Sequence, residues 1–441
     1  MAHRTGERSL TAIVHVLARE VLDSRGKPTV EAEVHLSGGV VGRAMVPSGA
    51  STGAAEAFEL RDGDPQRYDG QGVMKAVRHV NEILGPAVVG IAAEDQFAVD
   101  TRLLQLDPTP QKERLGANAI LAVSLAAAKA AALATQVPLY KHFELLLDQA
   151  AQRRGVRLPT RPLRIPMPMV NMISGGKHAG GNLDFQDVLI IPRGAASFAI
   201  GLEWIVRVYR RLGTLLREAG FEGYLVGDEG GYGPRLESNR QAVEFVVQAI
   251  QQAGLRAGHD VTLALDVAST HFYHQGHYHL HAEHGRKLSS EEMIDRLETW
   301  VNDFPLDCIE DGLAEEDWEG WRLLTLRLGA RVKLVGDDLF ATNEARLRRG
   351  VELQAANAVL IKVNQIGDLT ETFHTILTAQ AAGYATIISA RSGETEDDLL
   401  ADLAVGVGGD YIKIGAITRS ERLAKYNRLL RIAESVSPSR T

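Results

Sequence analysis

The stretch KLVGDDLFATNEARLRRGVELQAANAVLIKVNQ, residues 333–365, holds two short apolar runs on either side of a helical segment. The runs read as strands, and each stops at a charged residue, Asp337 and Lys362. Outward from this unit the pattern recurs in VLIIP (188–192), YLVGDEGG (224–231), VTLALDVA (261–268), LDCIEDG (306–312), ATIISARSG (385–393) and YIKIGA (411–416). Strand-then-helix repetition at this spacing predicts a parallel α/β sheet, and the number of units favours a closed barrel.

Six successive runs carry a charged residue at or near the C-terminal end: Asp266, Glu310, Asp337, Lys362, Arg391 and Lys413. Polar turns after strands account for one or two such residues, not for an unbroken series. In a barrel these ends converge on one face, where the chemistry is done. Three clustered carboxylates repel one another, and a divalent cation resolves the repulsion. All-oxygen ligands suit Mg²⁺. A lysine beside a metal and a second lysine is expected to have a lowered pKa and to act as a base. The set points to removal of a proton next to a carboxylate, with a metal holding the charge that develops.

Before the barrel, residues 10–45 alternate as strands punctuated by Gly26, Pro28, Gly38 and Gly39, and helical patterns fill 72–145. Residues 1–145 therefore read as a smaller α+β domain, 146–166 as a linker and 167–441 as the barrel domain. Within the linker, QAAQRRGVRLPTRPLRIP (149–166) is basic and proline-bearing, with no sustained period. Between Pro47 and Gly53 the small residues of PSGASTG allow a mobile lid.

The chain of 441 residues is 45% hydrophobic and 24% charged, the composition of a soluble globular protein. Its net charge of -8 argues against nucleic acid as a partner. One cysteine, Cys308, excludes an intramolecular disulfide and fits a reducing compartment; in its apolar run it reads as a buried structural thiol. The segment GANAILAVSLAAAKAAALA (116–134) contains Asn118 and Lys129 and reads as a packed helix rather than a membrane span. MAHRTGERSL lacks the apolar core of a secretory signal, so a cytoplasmic location without membrane association is expected.

Taken together, DSRGKPTVE, PSGASTG, GDEGGYGP, IEDGL, LVGDDLF, IKVNQIG and SGETED resemble enolase signatures in enolase order, from about residue 10 to 433. The resemblance implies a modified TIM-type barrel behind an α+β domain, homodimers or larger assemblies, and interconversion of 2-phosphoglycerate and phosphoenolpyruvate. It implies that Asp266, Glu310 and Asp337 bind a first Mg²⁺, and that Ser51 helps bind a second. By the same resemblance Lys362 removes the C2 proton and Glu229 assists loss of the C3 hydroxyl. Arg391 and Ser392 would hold the phosphate and Lys413 the carboxylate. His178 and Gln186 match site residues of the family.

Three positions depart from the family pattern. Ala390 replaces the histidine of SHRSGE, Asp187 replaces the glutamate of QEF, and Ser174 stands where an asparagine is common. The first two fall on the side that handles the C3 hydroxyl. Glu→Asp withdraws a carboxylate by roughly 1.5 Å, and a misplacement of about 1 Å can cost roughly 10²-fold in rate. One reading is an enolase with a rearranged dehydration site. The other is a specialised-pathway homologue with a different leaving group or co-substrate, such as carboxyphosphonoenolpyruvate synthase of phosphinate biosynthesis, taking a phosphorylated or phosphonylated carboxylate. An inactive binding or scaffold protein is opposed by the retained metal and base residues.

HFYHQGHYHLHAEHG (271–285) holds six histidines. His277, His279 and His281 have strand spacing and are expected on one face of an exposed, non-catalytic hairpin, where they could capture a transition metal.

Overall fold

The computed structural model describes residues 10–49, 53–158 and 163–436. Strands β1 (Ile13–Leu22), β2 (Pro28–Leu36) and β3 (Val41–Met45) form an antiparallel meander. The alanine-rich helix Ala117–Ala134 packs on it, buried along nearly its whole length. Glycine at 42 lets strand and helix approach closely: a Cβ there would lie 2.2 Å from the Ala130 nitrogen and 2.4 Å from the Ala126 oxygen. This close contact explains a helix built of alanines, apolar enough to cross a membrane yet packed inside the protein.

The helix Leu139–Arg154 runs into the stretch expected to be an irregular linker, ending at Gly155 in the left-handed conformation. Next come β4 (Met167–Ser174), β5 (Asp187–Ile191) and β6 (Thr262–Asp266). A small three-stranded sheet follows: β7 (Tyr273–His274), β8 (His277–Leu280) and β9 (Arg286–Leu288). The remaining strands are β10 (Leu306–Glu310), β11 (Lys333–Gly336), β12 (Ala358–Ile361), β13 (Ala385–Ser389) and β14 (Tyr411–Gly415). Eight strands close a barrel in the order β10-β11-β12-β13-β14-β4-β5-β6.

Two features of the barrel correct the expectation of a uniform parallel sheet. β5 runs antiparallel to both β4 and β6. The run YLVGDEGG is not a barrel strand; it is a loop making only isolated bridges, and β4 takes the place it was expected to fill. Four glycines between 227 and 233 break the loop's extended run, while Pro168 near the start of β4 hid a true strand.

The barrel interior below the site is filled by Met169, Leu189, Ala264, Cys308, Val335 and Leu360 among others. Cys308 is fully buried there, and burial pushes its thiol well above the ordinary value. A larger apolar cluster between the barrel and its helices continues into the N-terminal domain.

Candidate active site

The charged residues that end the strands do converge. Asp266 closes β6 and Glu310 closes β10, and the two are register partners. Asp337 follows β11, Lys362 follows β12, Arg391 lies two residues beyond β13, and Lys413 is within β14. All six are buried or nearly so, the three carboxylates each exposing 7% or less.

Salt links knit the group together. Lys413 Nζ donates to Asp266 Oδ2 at 2.7 Å and to both Glu310 oxygens at 2.7 and 2.8 Å. Lys362 Nζ pairs with Asp337 Oδ2. Gln186 Nε2 donates to Asp266 Oδ2 at 3.1 Å, and Gln365 Nε2 donates to Asp337 Oδ1 at 2.8 Å. Burial alone would raise Asp266, but Lys413 holds it at about 2. Burial and the neighbouring Asp266 push Glu310 well up.

Lys362 is governed by its carboxylate neighbour. Burial acts to lower its pKa, yet the Asp337 carboxylate outweighs burial and the nearby Arg391, and the net direction is upward. The protein's own groups thus hold Lys362 as an ammonium.

Three buried carboxylates sharing two lysines, with Glu310 driven toward its neutral form, are an oxygen donor set that suits a divalent cation. A second acidic group lies beside it. Asp311, Asp337 and Asp338 bring oxygens within 4.8 Å of one another. Asp311 accepts from the backbone N–H groups of Asp337 and Asp338 at 2.9 and 2.8 Å. Asp338 is pushed up to about 8 by burial and by Asp337. A Cβ at Gly53 would lie 3.1 Å from Asp338 Oδ1, which puts Asp338 at the foot of the PSGASTG loop. Ser51, expected as a metal ligand from that loop, lies outside the described residues.

The anion side of the site crosses the domain boundary. The Arg391 guanidinium forks onto Glu56 of the N-terminal domain at 3.0 and 3.2 Å and reaches Asn364 Oδ1 at 2.8 Å. Arg25 Nη1 donates to Ser392 Oγ at 3.3 Å. Glu56 also accepts from Gly53 N at 3.1 Å and from Gln365 Nε2 at 3.2 Å.

On the opposite flank stand His178, Asp187 and Glu229. His178 Nδ1 lies 2.9 Å from Asp187 Oδ2, and His178 Nε2 lies 3.9 Å from Glu229 Oε1. Asn171 Nδ2 donates to Glu229 Oε2 at 3.0 Å. Burial would lower His178, but Asp187 and Glu229 raise it to about 9. These three side chains also bring ligand-capable atoms within 4.8 Å of one another. Ala390 is 5% exposed and packs into the continuous apolar cluster, its N–H bonded to the Lys413 carbonyl at 2.8 Å.

The structure thus assembles every expected site residue that it describes, and adds Glu56, Asn171, Asp338 and His271. Asp338 was legible as the second acid of VGDDLF. His271 was hidden in the histidine-rich segment. It sits in a turn, Ser269–Phe272, half-buried rather than out on the hairpin. Burial and then Lys177 push it down to about 4, and it also feels Asp266, His178 and Asp337. His281 likewise leaves the expected strand face, because β8 ends at Leu280 and a 3-10 turn begins. Among the described residues the hairpin histidines form no group with metal-ligand spacing.

A closed barrel with carboxylates and lysines at its mouth, preceded by an α+β domain, is an architecture of metal-assisted α/β-barrel enzymes. Residues 13–143 match the family model described as enolase, N-terminal domain, and residues 162–440 match that of the enolase C-terminal TIM barrel domain. The chain belongs to the enolase family, a group of Mg²⁺-dependent enzymes.

Proposed function

We propose that the protein is a carbon–oxygen lyase acting on a 2-phosphoglycerate or phosphoenolpyruvate type of substrate. The observation that carries this reading is the convergence of Lys362 and Lys413 on Asp266, Glu310 and Asp337, opposite the Arg391–Ser392 corner. With Asp337 holding Mg²⁺, the carboxylate charge that keeps Lys362 an ammonium would be drawn off, and in the forward direction Lys362, as the free amine, accepts the proton from the carbon next to the carboxylate. The C–H electron pair becomes the new carbon–carbon double bond, and the leaving oxygen departs from the adjacent carbon with a proton from the Glu229 side. Lys413 holds the substrate carboxylate, and Arg391 exchanges part of its bond to Glu56 for the phosphate. Asp266, Glu310 and Asp337 would hold Mg²⁺, with a second ion near Asp338 that, by the family resemblance, Ser51 would help bind; bound Mg²⁺ supplies positive charge against the charge that builds on the carboxylate.

The second reading, a specialised homologue of the carboxyphosphonoenolpyruvate synthase kind, draws on Ala390, Asp187 and Ser174. Ser174 and Asp187 stand against His178 on the leaving-group flank, and Ala390 takes the place of the family's histidine.

The test is purified protein with Mg²⁺ and 2-phosphoglycerate in D₂O. Deuterium should enter the carbon next to the carboxylate in the wild type, and Lys362→Ala should slow this by on the order of 10²–10⁴-fold. Exchange with little phosphoenolpyruvate supports the specialised reading, whereas phosphoenolpyruvate at ordinary enolase rates removes it. No exchange, with phosphorylated or phosphonylated three-carbon acids alike, overturns the proposed chemistry.

A further inference from the structure

Two of the three residues that depart from the family pattern touch each other. Ser174 is the last residue of β4 and Asp187 the first of β5, and they face each other across the antiparallel pair. The Ser174 hydroxyl donates to Asp187 Oδ1 at 2.8 Å, while Oδ2 faces His178 Nδ1 at 2.9 Å. Ser174 is 0% and Asp187 1% exposed. Both carboxylate oxygens are therefore engaged by protein donors. Against burial, Asp187 and Glu229 raise His178 to about 9, so its ring rests as an imidazolium, with Nδ1–H on the Asp187 carboxylate and Nε2–H turned to the site.

The surroundings leave no slack. A Cβ at Gly231 would lie 2.6 Å from Ser174 Oγ, and one at Gly227 would lie 3.1 Å from Ser174 Cβ. A longer side chain at 174 would press on this glycine loop, which carries Glu229. A glutamate at 187 would advance its carboxylate by roughly 1.5 Å into the hydroxyl or the ring. Serine and aspartate are matched in length across the strand pair.

The gap of 3.9 Å between His178 Nε2 and Glu229 Oε1 is too long for a hydrogen bond between them. One substrate oxygen placed at their edge can bond to both.

We propose that Ser174 and Asp187 act as one positioning unit that fixes the His178 ring with Nε2 toward Glu229, so that a histidine–glutamate pair rather than two carboxylates meets the leaving group. Such a pair offers an N–H donor where a second carboxylate would offer only acceptors. Nε2–H can therefore donate to a leaving oxygen that carries no proton of its own, such as that of a carboxylate or phosph(on)ate ester, whereas two ionised carboxylates could engage only a hydroxyl, through its single proton. This selectivity rests on the proposed reaction; the hydrogen-bonded unit stands without it.

The experiment pairs NMR of the protein labelled with ¹⁵N-histidine and steady-state kinetics on a double-mutant cycle. The wild type should show a hydrogen-bonded Nδ1–H for His178, assigned by its loss in His178→Asn. Asp187→Asn replaces the acceptor by an amide that can bond the wrong tautomer, and should abolish that signal. It should lower kcat on the order of 10²-fold with KM changed less than about threefold. Ser174→Ala should speed solvent exchange of the Nδ1 proton at least about tenfold, and the double variant should be no worse than Asp187→Asn alone, because the hydroxyl acts only through the carboxylate. An unchanged signal and kcat in Ser174→Ala, or losses that multiply in the double variant, overturn the unit. Should Asp187→Asn fail to fold, Asp187→Glu and Ser174→Gly/Asp187→Glu decide the matter: the single change should impair the signal and the double should recover it, and no recovery overturns the length match. The NMR arm needs no substrate. A wild type with the signal but no turnover counts against the proposed reaction only, and a wild type without the signal counts against the unit.

Discussion

Arg391 and Ala390 are adjacent in sequence and opposite in character. Arg391 is held by a carboxylate fork that a phosphate can replace oxygen for oxygen, so its geometry is set before substrate arrives. Arg391→Lys keeps the charge but loses the fork. Phosphate affinity should fall roughly tenfold or more, read as KM for the phosphorylated substrate, with a smaller change in kcat. Ala390 is buried among apolar neighbours, so an imidazole placed there must find a polar partner or remain neutral. With Ser174 and Asp187 matched in length, Ala390→His alone should do little for dehydration of 2-phosphoglycerate. Combined with Asp187→Glu and Ser174→Gly, which makes room for the longer carboxylate, it should raise that activity, and no gain from the triple change, measured by phosphoenolpyruvate absorbance, would sink this account of the leaving-group flank.

The elements show what a linear reading reaches and where it stops. Charged residues after β6, β10, β11 and β12 were legible because each ends an apolar run, and parallel strands bring such ends to one face. Asp187 escapes that rule because β5 runs backwards: its first residue, not its last, pairs with Asp266 at the catalytic face. Motif resemblance found Asp187 where periodicity did not. Glu56 was missed for another reason, since its partner Arg391 is 335 residues away. The helix Leu139–Arg154 supplies an element-scale prediction. Its last residue, Arg154, donates to Glu344 Oε1 at 2.6 Å, and Thr378 donates to the same oxygen at 2.8 Å. Burial would raise Glu344, but these bonds and Arg348 lower it from 4.5 to about 2. A carboxylate lowered on folding stabilises the protein above its unfolded value, and the contribution is lost as pH falls from about 4.5 toward 2. Allowing for its partial exposure, the contribution is roughly 1 kcal/mol. Glu344→Gln should melt lower than wild type at neutral pH, and the difference in melting temperature should shrink through that window.

Across the whole molecule the two domains meet through buried ion pairs rather than through apolar packing alone. Glu56 and Arg25 of the N-terminal domain complete the anion corner of the barrel, and Lys129 reaches Asp397 at 2.7 Å. Away from the site, Lys112 buries its side chain between Glu371 at 2.5 Å and Asp368 at 3.7 Å. Asp368 is fully buried, and burial together with Asp100 of the N-terminal domain pushes it well up. Removing the cation would leave the buried Asp368 carboxyl without its neighbouring ammonium at the interface. Lys112→Met keeps most of the side chain's volume while deleting its charge, so the loss should be electrostatic and not a cavity. Because Asp368 already leans toward its neutral form and the Glu371 side chain is 38% exposed, the loss should be about 1 kcal/mol, which urea unfolding would read as a lowered midpoint. The domain interface also positions Glu56 and Arg25 against Arg391 and Ser392, so phosphate affinity should weaken along with stability. A variant as stable and as tight for phosphate as the wild type would show that the apolar contacts alone dock the domains.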